Sequence, residues 1–146
     1  MKSLSSTLNP APVVSTHSNP TPVSLHKLVS RLMQSFCPLA VAKKSFIIND
    51  VDDSFQLHTD EQVLAFIVGN LLNNAISSSN AVCIRIEAVK HTTGVEVRVK
   101  NNGANFYSTV AHGFSEVLAA ARSMGGTINI YNQKHEGTVI TLSVAA

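Results

Sequence analysis

The amino-acid sequence predicts an α+β protein, a two-layer α/β sandwich in which three helices cover one face of a mixed, mostly antiparallel sheet. Three segments with helical apolar spacing are interleaved with five short segments in which apolar and polar residues alternate or apolar residues run together. Alternation of this kind is typical of strands that bury one face of their sheet. The length of 146 residues fits one domain.

Residues 1–22 differ in composition from the rest of the chain. Ser, Thr, Pro and Asn dominate there, without apolar periodicity. We expect a disordered tail or linker over residues 1–22 and the folded domain over residues 23–146.

The first predicted helix begins after Ser24, which can cap it, and runs from Leu25 to about Leu39, where Pro38 marks its end. His26 on this helix is expected to face solvent. A short strand over residues 45–49 and a polar turn follow.

The second predicted helix is the strongest. Thr59 or Asp60 caps it, and Ser and Asn residues after Ile76 end it. Its broad apolar stripe consists of Val63, Leu64, Ile67, Val68, Leu71, Leu72, Ala75 and Ile76.

Two hairpins and a third helix complete the prediction. Residues 82–88 and 95–100 alternate and flank a turn with a glycine. The third helix covers residues 114–123, and the last hairpin joins residues 127–132 to residues 138–144.

Composition excludes several classes of function. A net charge of +2 and scattered basic residues argue against nucleic-acid binding. No apolar run is long enough for a membrane span, and the N-terminus is unlike a secretory signal, so we expect a cytoplasmic protein. Cys37 and Cys83 are expected to be buried free thiols. Charged residues make up only 14% of the chain, which is consistent either with a partner-covered surface or with a surface rich in Ser, Thr and Asn.

Asn70 and Asn74 stand one turn apart beside the apolar stripe of the second helix. Two amides on one rim could hold a hydrated magnesium ion and a phosphate. They could equally cap local backbone near the helix end.

Two loops could contact a ligand. Residues 99–106 leave a strand through Asn102-Gly103, which suits either a tight turn or a close approach of the backbone to a ligand. Residues 111–115 place Gly113 before a helix, where free N–H groups can hold phosphate.

In order and spacing, these segments resemble the ATP-binding domain of sensor histidine kinases and their GHKL relatives. Residues 60–75 match the N box and the segment before it, residues 99–106 the first glycine box, and residues 111–114 the second. Gly125-Gly126 and Gly137-Thr138 match the glycines of the closing hairpin. The resemblance covers about residues 23–144 and implies the Bergerat fold, with ATP and Mg²⁺ between the N-box helix and the glycine loops. It assigns nucleotide contacts to Asn70, Asn74, Asn101, Gly103 and Gly113, with Asn74 as the metal ligand.

The sequence departs from the family at the adenine end. Asn101 stands in place of the adenine-reading Asp, which weakens binding by about 1–2 kcal/mol because a charge-assisted hydrogen bond is lost. Asn105 and Ala111 replace two family glycines. Only residues 107–110 remain where the family has a long lid over the triphosphate.

Two functions follow from the resemblance. The first is a pseudo-kinase of two-component signalling, a regulatory or phosphotransfer module that binds a response regulator or kinase partner and binds ATP and Mg²⁺ weakly or not at all. It has no catalytic residue, and a homodimer is compatible with it. The alternative is a functional ATP-binding domain of a sensor histidine kinase or an anti-sigma-type protein kinase.

Overall fold

The computed structural model describes residues 20–78, 80–102, 114–133 and 137–145. Within them the chain forms helices and strands in the following order: β1 (Thr21–Ser24), α1 (Leu25–Ala42), β2 (Phe46–Asn49), β3 (Gln56–Thr59), α2 (Glu61–Ser78), β4 (Cys83–Lys90), β5 (Gly94–Asn101), α3 (Phe114–Ser123), β6 (Gly126–Gln133) and β7 (Gly137–Ala145).

The main sheet confirms the predicted architecture. Its strand order is β2-β4-β5-β7-β6, with β2 parallel to β4 and every other pair antiparallel. The helices pack on the sheet, α1 against β2, α2 against β4 and β5, and α3 against β6. The core between the layers is aliphatic, and its largest fully buried side chains include Leu64, Ile67, Leu71, Leu72, Ile84, Ile86, Ile140 and Leu142.

Strand alternation separates the inner and outer faces of the sheet. Ile84 and Ile86 on β4 are fully buried against the helices. Phe46 and Ile48 on β2 lie beside Cys83 and Arg85, so they point to the outer face. Hydrophobic burial thus fixes the register of the whole sheet, because a slip by one residue would turn the buried set outward.

Helix α1 is longer than predicted. Ser24 caps it as expected, since its hydroxyl accepts a backbone N–H of the first turn. The predicted end at Pro38 is wrong, because the helix continues to Ala42. Proline removes one backbone hydrogen bond, and the packing of Leu39 and Ala40 into the core holds the last turn in place.

A second, two-stranded sheet was not predicted. Strand β1 pairs with β3 in antiparallel register, with the buried side chains of Val23 and Leu57 opposite each other. Each strand has four residues, too few for a clear alternation. The pairing includes Thr21 and Pro22 from the segment predicted to be a tail. Residues 1–19 lie outside the described residues.

Two single-residue predictions also need correction. Cys37 is exposed and Cys83 is half-buried, although both are free as expected. His26 is half-buried rather than solvent-facing, and its Nδ1 lies 2.7 Å from the carbonyl oxygen of Val51. No helix in the described part of the chain is long and apolar enough to cross a membrane.

Candidate functional site

Helix α2 lies in the middle of the helical layer and carries the two asparagines that the sequence singled out. Asp60 caps its first turn, because its Oδ1 accepts the backbone N–H groups of Gln62 at 2.9 Å and Val63 at 3.2 Å. The helix packs against α1, α3, β4 and β5. Its apolar stripe is buried, and Asn70 and Asn74 remain half-buried on one flank.

The two asparagines differ in what their amides do. The Asn70 Nδ2 group donates a hydrogen bond to the carbonyl of Phe66 at 2.7 Å, one turn earlier in the same helix. Its donor is therefore used locally, which is the backbone-capping role that the sequence also allowed. For Asn74 no hydrogen bond is found among the described residues, so both its donor and its acceptor are available to a ligand.

Asn101 stands at the end of β5 and is only 1% exposed. Its Nδ2 group donates a hydrogen bond to the carbonyl of Ala75 at 3.1 Å. Ala75 belongs to the last four residues of α2. The Asn101 amide thus braces the end of α2 next to Asn74. A carboxylate at this position has no proton to give to that carbonyl.

The start of β7 packs directly against Asn101. Thr138 pairs with Asn101 across the antiparallel ladder and is also 1% exposed. Within the described residues its hydroxyl makes no hydrogen bond. Gly137 has a φ of +93°, and a Cβ there would stand 2.0 Å from the Asn101 carbonyl oxygen. Only glycine therefore fits at this crossing.

Asn102 and Thr138 have roles that the sequence pattern did not predict. The Asn102 Oδ1 atom accepts the backbone N–H of Cys83 at 3.0 Å, which fixes the end of β5 to the start of β4. Thr138 and Asn101 occupy inward-facing strand positions where the pattern otherwise has aliphatic residues. A polar residue at an inward position is the signal that could have identified Thr138, whereas the exposed Asn102 carries no such signal.

The remaining predicted site residues lie outside the described residues. Gly103 and Gly113 belong to residues 103–113, as do Asn105, Ala111 and the four residues that stand in place of the lid. Their roles stay predictions.

The described part of the site carries no titratable side chain. Asn70, Asn74, Asn101 and Thr138 offer amide and hydroxyl groups only. No cluster of three or more His, Cys, Asp or Glu residues that could hold a metal is found in the described ranges. The amide oxygens of the three asparagines can bind a hydrated cation or a phosphate-linked metal. Neither these amides nor the Thr138 hydroxyl titrates near neutral pH.

The perturbed carboxylates lie elsewhere. The pKa of Glu96 is lowered, first by its hydrogen bond from Arg98, and Glu96 points to the outer face of the sheet. The pKa of Asp52 is lowered by hydrogen bonds from the Ser54 side chain and backbone in the turn after β2. These two carboxylates are therefore held in local hydrogen bonds at the surface, and they supply no acid or base to the site.

Comparisons with known proteins agree with this architecture. No family model and no curated protein matches the sequence. The chain is similar in structure to the histidine kinase AdeS of Acinetobacter baumannii, with a TM-score of 0.77 and 17% identity over 87% of this chain and 67% of that one. It is also similar to the catalytic domain of the histidine kinase ThkA, with a TM-score of 0.73 and 18% identity over 87% of this chain and 96% of that one.

A further structure contains ThkA in complex with the response regulator protein TrrA. This chain matches it with a TM-score of 0.73 and 19% identity over 86% of its own length and 41% of that chain. At these identities the likeness concerns the fold. The chain has the α/β sandwich fold of histidine-kinase catalytic (ATPase) domains, as the resemblance implied.

Proposed function

We propose that this chain is a pseudo-kinase module of two-component signalling, which uses a histidine-kinase ATPase scaffold to bind a protein partner and binds nucleotide weakly or not at all. One observation carries the proposal. Asn101, at the position of the family's adenine-reading Asp, is almost fully buried and gives its amide N–H to the Ala75 carbonyl.

Adenine binding would disturb this arrangement. To form a hydrogen bond with adenine, the Asn101 side chain would have to become accessible and at the same time keep its hydrogen bond to the Ala75 carbonyl. Losing that bond would cost about 0.5–1.5 kcal/mol, the net contribution of a typical hydrogen bond. A ligand would have to offset this cost without the charge that an Asp provides.

The partner class follows from the likeness to ThkA, which is found in complex with a response regulator protein. A response regulator or a kinase is the partner we propose here, in the cytoplasm, with a regulatory or phosphotransfer role. The low share of charged residues, 14%, fits a surface that a partner covers.

A second candidate is a functional ATP-binding domain. The unused amide of Asn74 and the buried hydroxyl of Thr138 favour it. In that case Asn74 would hold Mg²⁺, Asn101 would contact adenine, and Gly113 would approach the phosphates. The bound Mg²⁺ would neutralise phosphate charge. Asn74 fits such an ion, whereas the hydrogen bond of Asn101 does not fit a base contact.

A calorimetric titration of the chain with Mg-ATP separates the two candidates. The pseudo-kinase predicts no heat of binding at micromolar nucleotide. Micromolar binding that Asn74→Ala abolishes and the neighbouring exposed Asn73→Ala leaves intact would establish the ATP-binding domain instead.

The partner half of the proposal needs its own measurement. Surface plasmon resonance with the receiver domains and kinase dimerisation domains of the source organism should identify at least one specific binder. Absence of binding to every one of them would remove the signalling role even if nucleotide binding is also absent.

A further inference from the structure

Strand β2 forms one edge of the main sheet, and half of its backbone groups point away from it. Phe46 and Asp50 donate their N–H groups to β4, at 3.1 Å to Val82 and 2.9 Å to Ile86. In a parallel ladder alternate residues face the neighbouring strand. Ile47 and Asn49 therefore direct their N–H and C=O groups outward, and no backbone partner for them is found among the described residues. Such an edge is a template for another strand.

The surface around this edge is apolar. Phe46 is 59% exposed on the outer face beside half-buried Ile48. On the helical side of the edge, the Asn49 Nδ2 group of β2 donates a hydrogen bond to the Ser30 hydroxyl of α1 at 3.0 Å. Ser30 therefore marks the flank of α1 that lies over β2. Residues seven and eleven positions later share that flank, and they are the exposed Cys37 and the 69% exposed Val41. We call Cys37, Val41, Phe46 and Ile48 the α1–β2 edge.

Charges of opposite sign flank the edge strand. Lys43 and Lys44 come immediately before β2, and Asp52 and Asp53 follow it. None of these four side chains belongs to an ion pair within the described part of the chain. The strand itself, Phe46–Asn49, carries no charge. Natural edge strands are protected by being very short, by a charge or proline, or by a cover; β2 is short, with four residues, but has neither charge nor proline.

We propose that the α1–β2 edge binds a second copy of this chain, with the two β2 strands antiparallel about a two-fold axis at Ile48. Ile47 then stands opposite Asn49 of the second copy, and the outward backbone groups of both residues form hydrogen-bonded pairs. Because the two strands run antiparallel, the basic residues just before β2 of one copy lie at the same end of the pair as the acidic residues just after β2 of the second copy.

The distribution of charge identifies the second copy as the occupant. A segment that is basic at one end and acidic at the other is complementary to itself only when two copies run antiparallel. The two-fold axis also brings Ile48 opposite its own counterpart, with Phe46 on the diagonal to Ile48 and directly opposite Asp50 of the second copy. The exposed flanks of the two α1 helices face each other across the same axis.

Sedimentation equilibrium over a range of concentrations tests the pairing with the full chain. The wild type should show a reversible dimer. Lys43→Glu or Asp53→Lys alone should weaken it about tenfold, because each turns two attractive contacts into repulsive ones. The double variant K43E/D53K should regain wild-type affinity, since it exchanges the charges. Lys90→Glu changes the same charge at the far end of β4 and should leave the dimer unchanged.

Phe46→Ser separates the interface from the fold. Because this side chain is mostly exposed in the single chain, the variant should keep the thermal midpoint of the monomer and lose the dimer. A wild type that stays monomeric at every concentration overturns the proposal and leaves the edge to a strand of another protein. A dimer that ignores the charge variants, or that the double variant fails to restore, also overturns it. Neither result depends on whether the chain binds nucleotide, which the Mg-ATP titration decides separately.

Discussion

Asn101→Asp is the substitution that distinguishes a structural brace from a weakened adenine contact. The wild-type amide donates to the Ala75 carbonyl at 3.1 Å in an environment where Asn101 is 1% exposed. An ionised carboxylate has the same shape but no donor, and it would face a carbonyl oxygen at the negative end of the α2 dipole. The change therefore replaces an attraction by a repulsion without altering side-chain volume.

The expected loss of stability at neutral pH is about 2–4 kcal/mol. About 0.5–1.5 kcal/mol comes from the lost hydrogen bond, and the buried charge accounts for the rest. In a domain of this size each kcal/mol lowers the thermal midpoint by about 4 °C. Burial raises the pKa of the introduced carboxyl, and the protonated form can donate to Ala75. The loss should therefore be largest above that raised pKa and should diminish as the pH falls through it.

Thermal unfolding followed by circular dichroism at mildly acidic and mildly alkaline pH measures both effects. Asn102→Asp provides a matched control one residue away. The Asn102 Oδ1 atom accepts the Cys83 N–H at 3.0 Å at an exposed position, and a carboxylate can accept that bond equally well. We expect this control to change stability by less than about 0.5 kcal/mol.

The opposite outcome has a clear meaning. Suppose that Asn101→Asp is as stable as the wild type and gains micromolar affinity for Mg-ATP. The hydrogen bond from Asn101 to Ala75 would then not be needed to stabilise the end of α2. The wild-type chain would then be a scaffold one substitution away from nucleotide binding, and the argument that Asn101 excludes adenine because it braces α2 would be lost.

Three further measurements test other features of the fold. Gly137→Ala should destabilise the domain by at least about 2 kcal/mol in chemical unfolding, because its φ is +93° and a Cβ would stand 2.0 Å from a backbone oxygen. Gly125→Ala is the control, with a φ of +76° and no atom within 4 Å of the added Cβ, and it should lose only about 1 kcal/mol. Asp60→Ala removes the cap of α2 and should lower stability by about 1 kcal/mol, whereas D60N should keep most of it; equal losses would argue against the capping role. Arg98→Gln should raise the NMR-measured pKa of Glu96 toward its ordinary value. As acid is added, the stabilising charge of this carboxylate should then disappear at a higher pH than in the wild type. An unchanged pKa of Glu96 would assign the shift to another group.

The sequence predicted the elements that have long, regular patterns. Helix α2 combines eight apolar residues at helical spacing with an N-cap, and the structure places its first residue directly after Asp60. Strands β4 and β5 alternate over most of their length, and burial follows that alternation over residues 83–87 of β4 and 95–101 of β5. These signals are local, and each agrees with the packing of the finished domain.

Features that depend on distant contacts could not be predicted in the same way. The β1–β3 pairing joins residues more than 30 positions apart, and each strand contributes a single buried apolar side chain. Likewise, the sequence identified Asn101 as the position of the missing Asp, but the direction of its amide depends on a carbonyl 26 residues earlier. Pro38 misled the prediction because tertiary packing holds the last turn of α1.

The small β1–β3 sheet has a mechanical consequence. Strand β1 runs directly into α1 and strand β3 reaches α2 through Asp60, so the pairing of Val23 with Leu57 links the first turns of two neighbouring helices. The chain at Thr21 is therefore tied to the start of α2 as well as to α1, and the small sheet joins this end of the domain to the helix that carries Asn70 and Asn74.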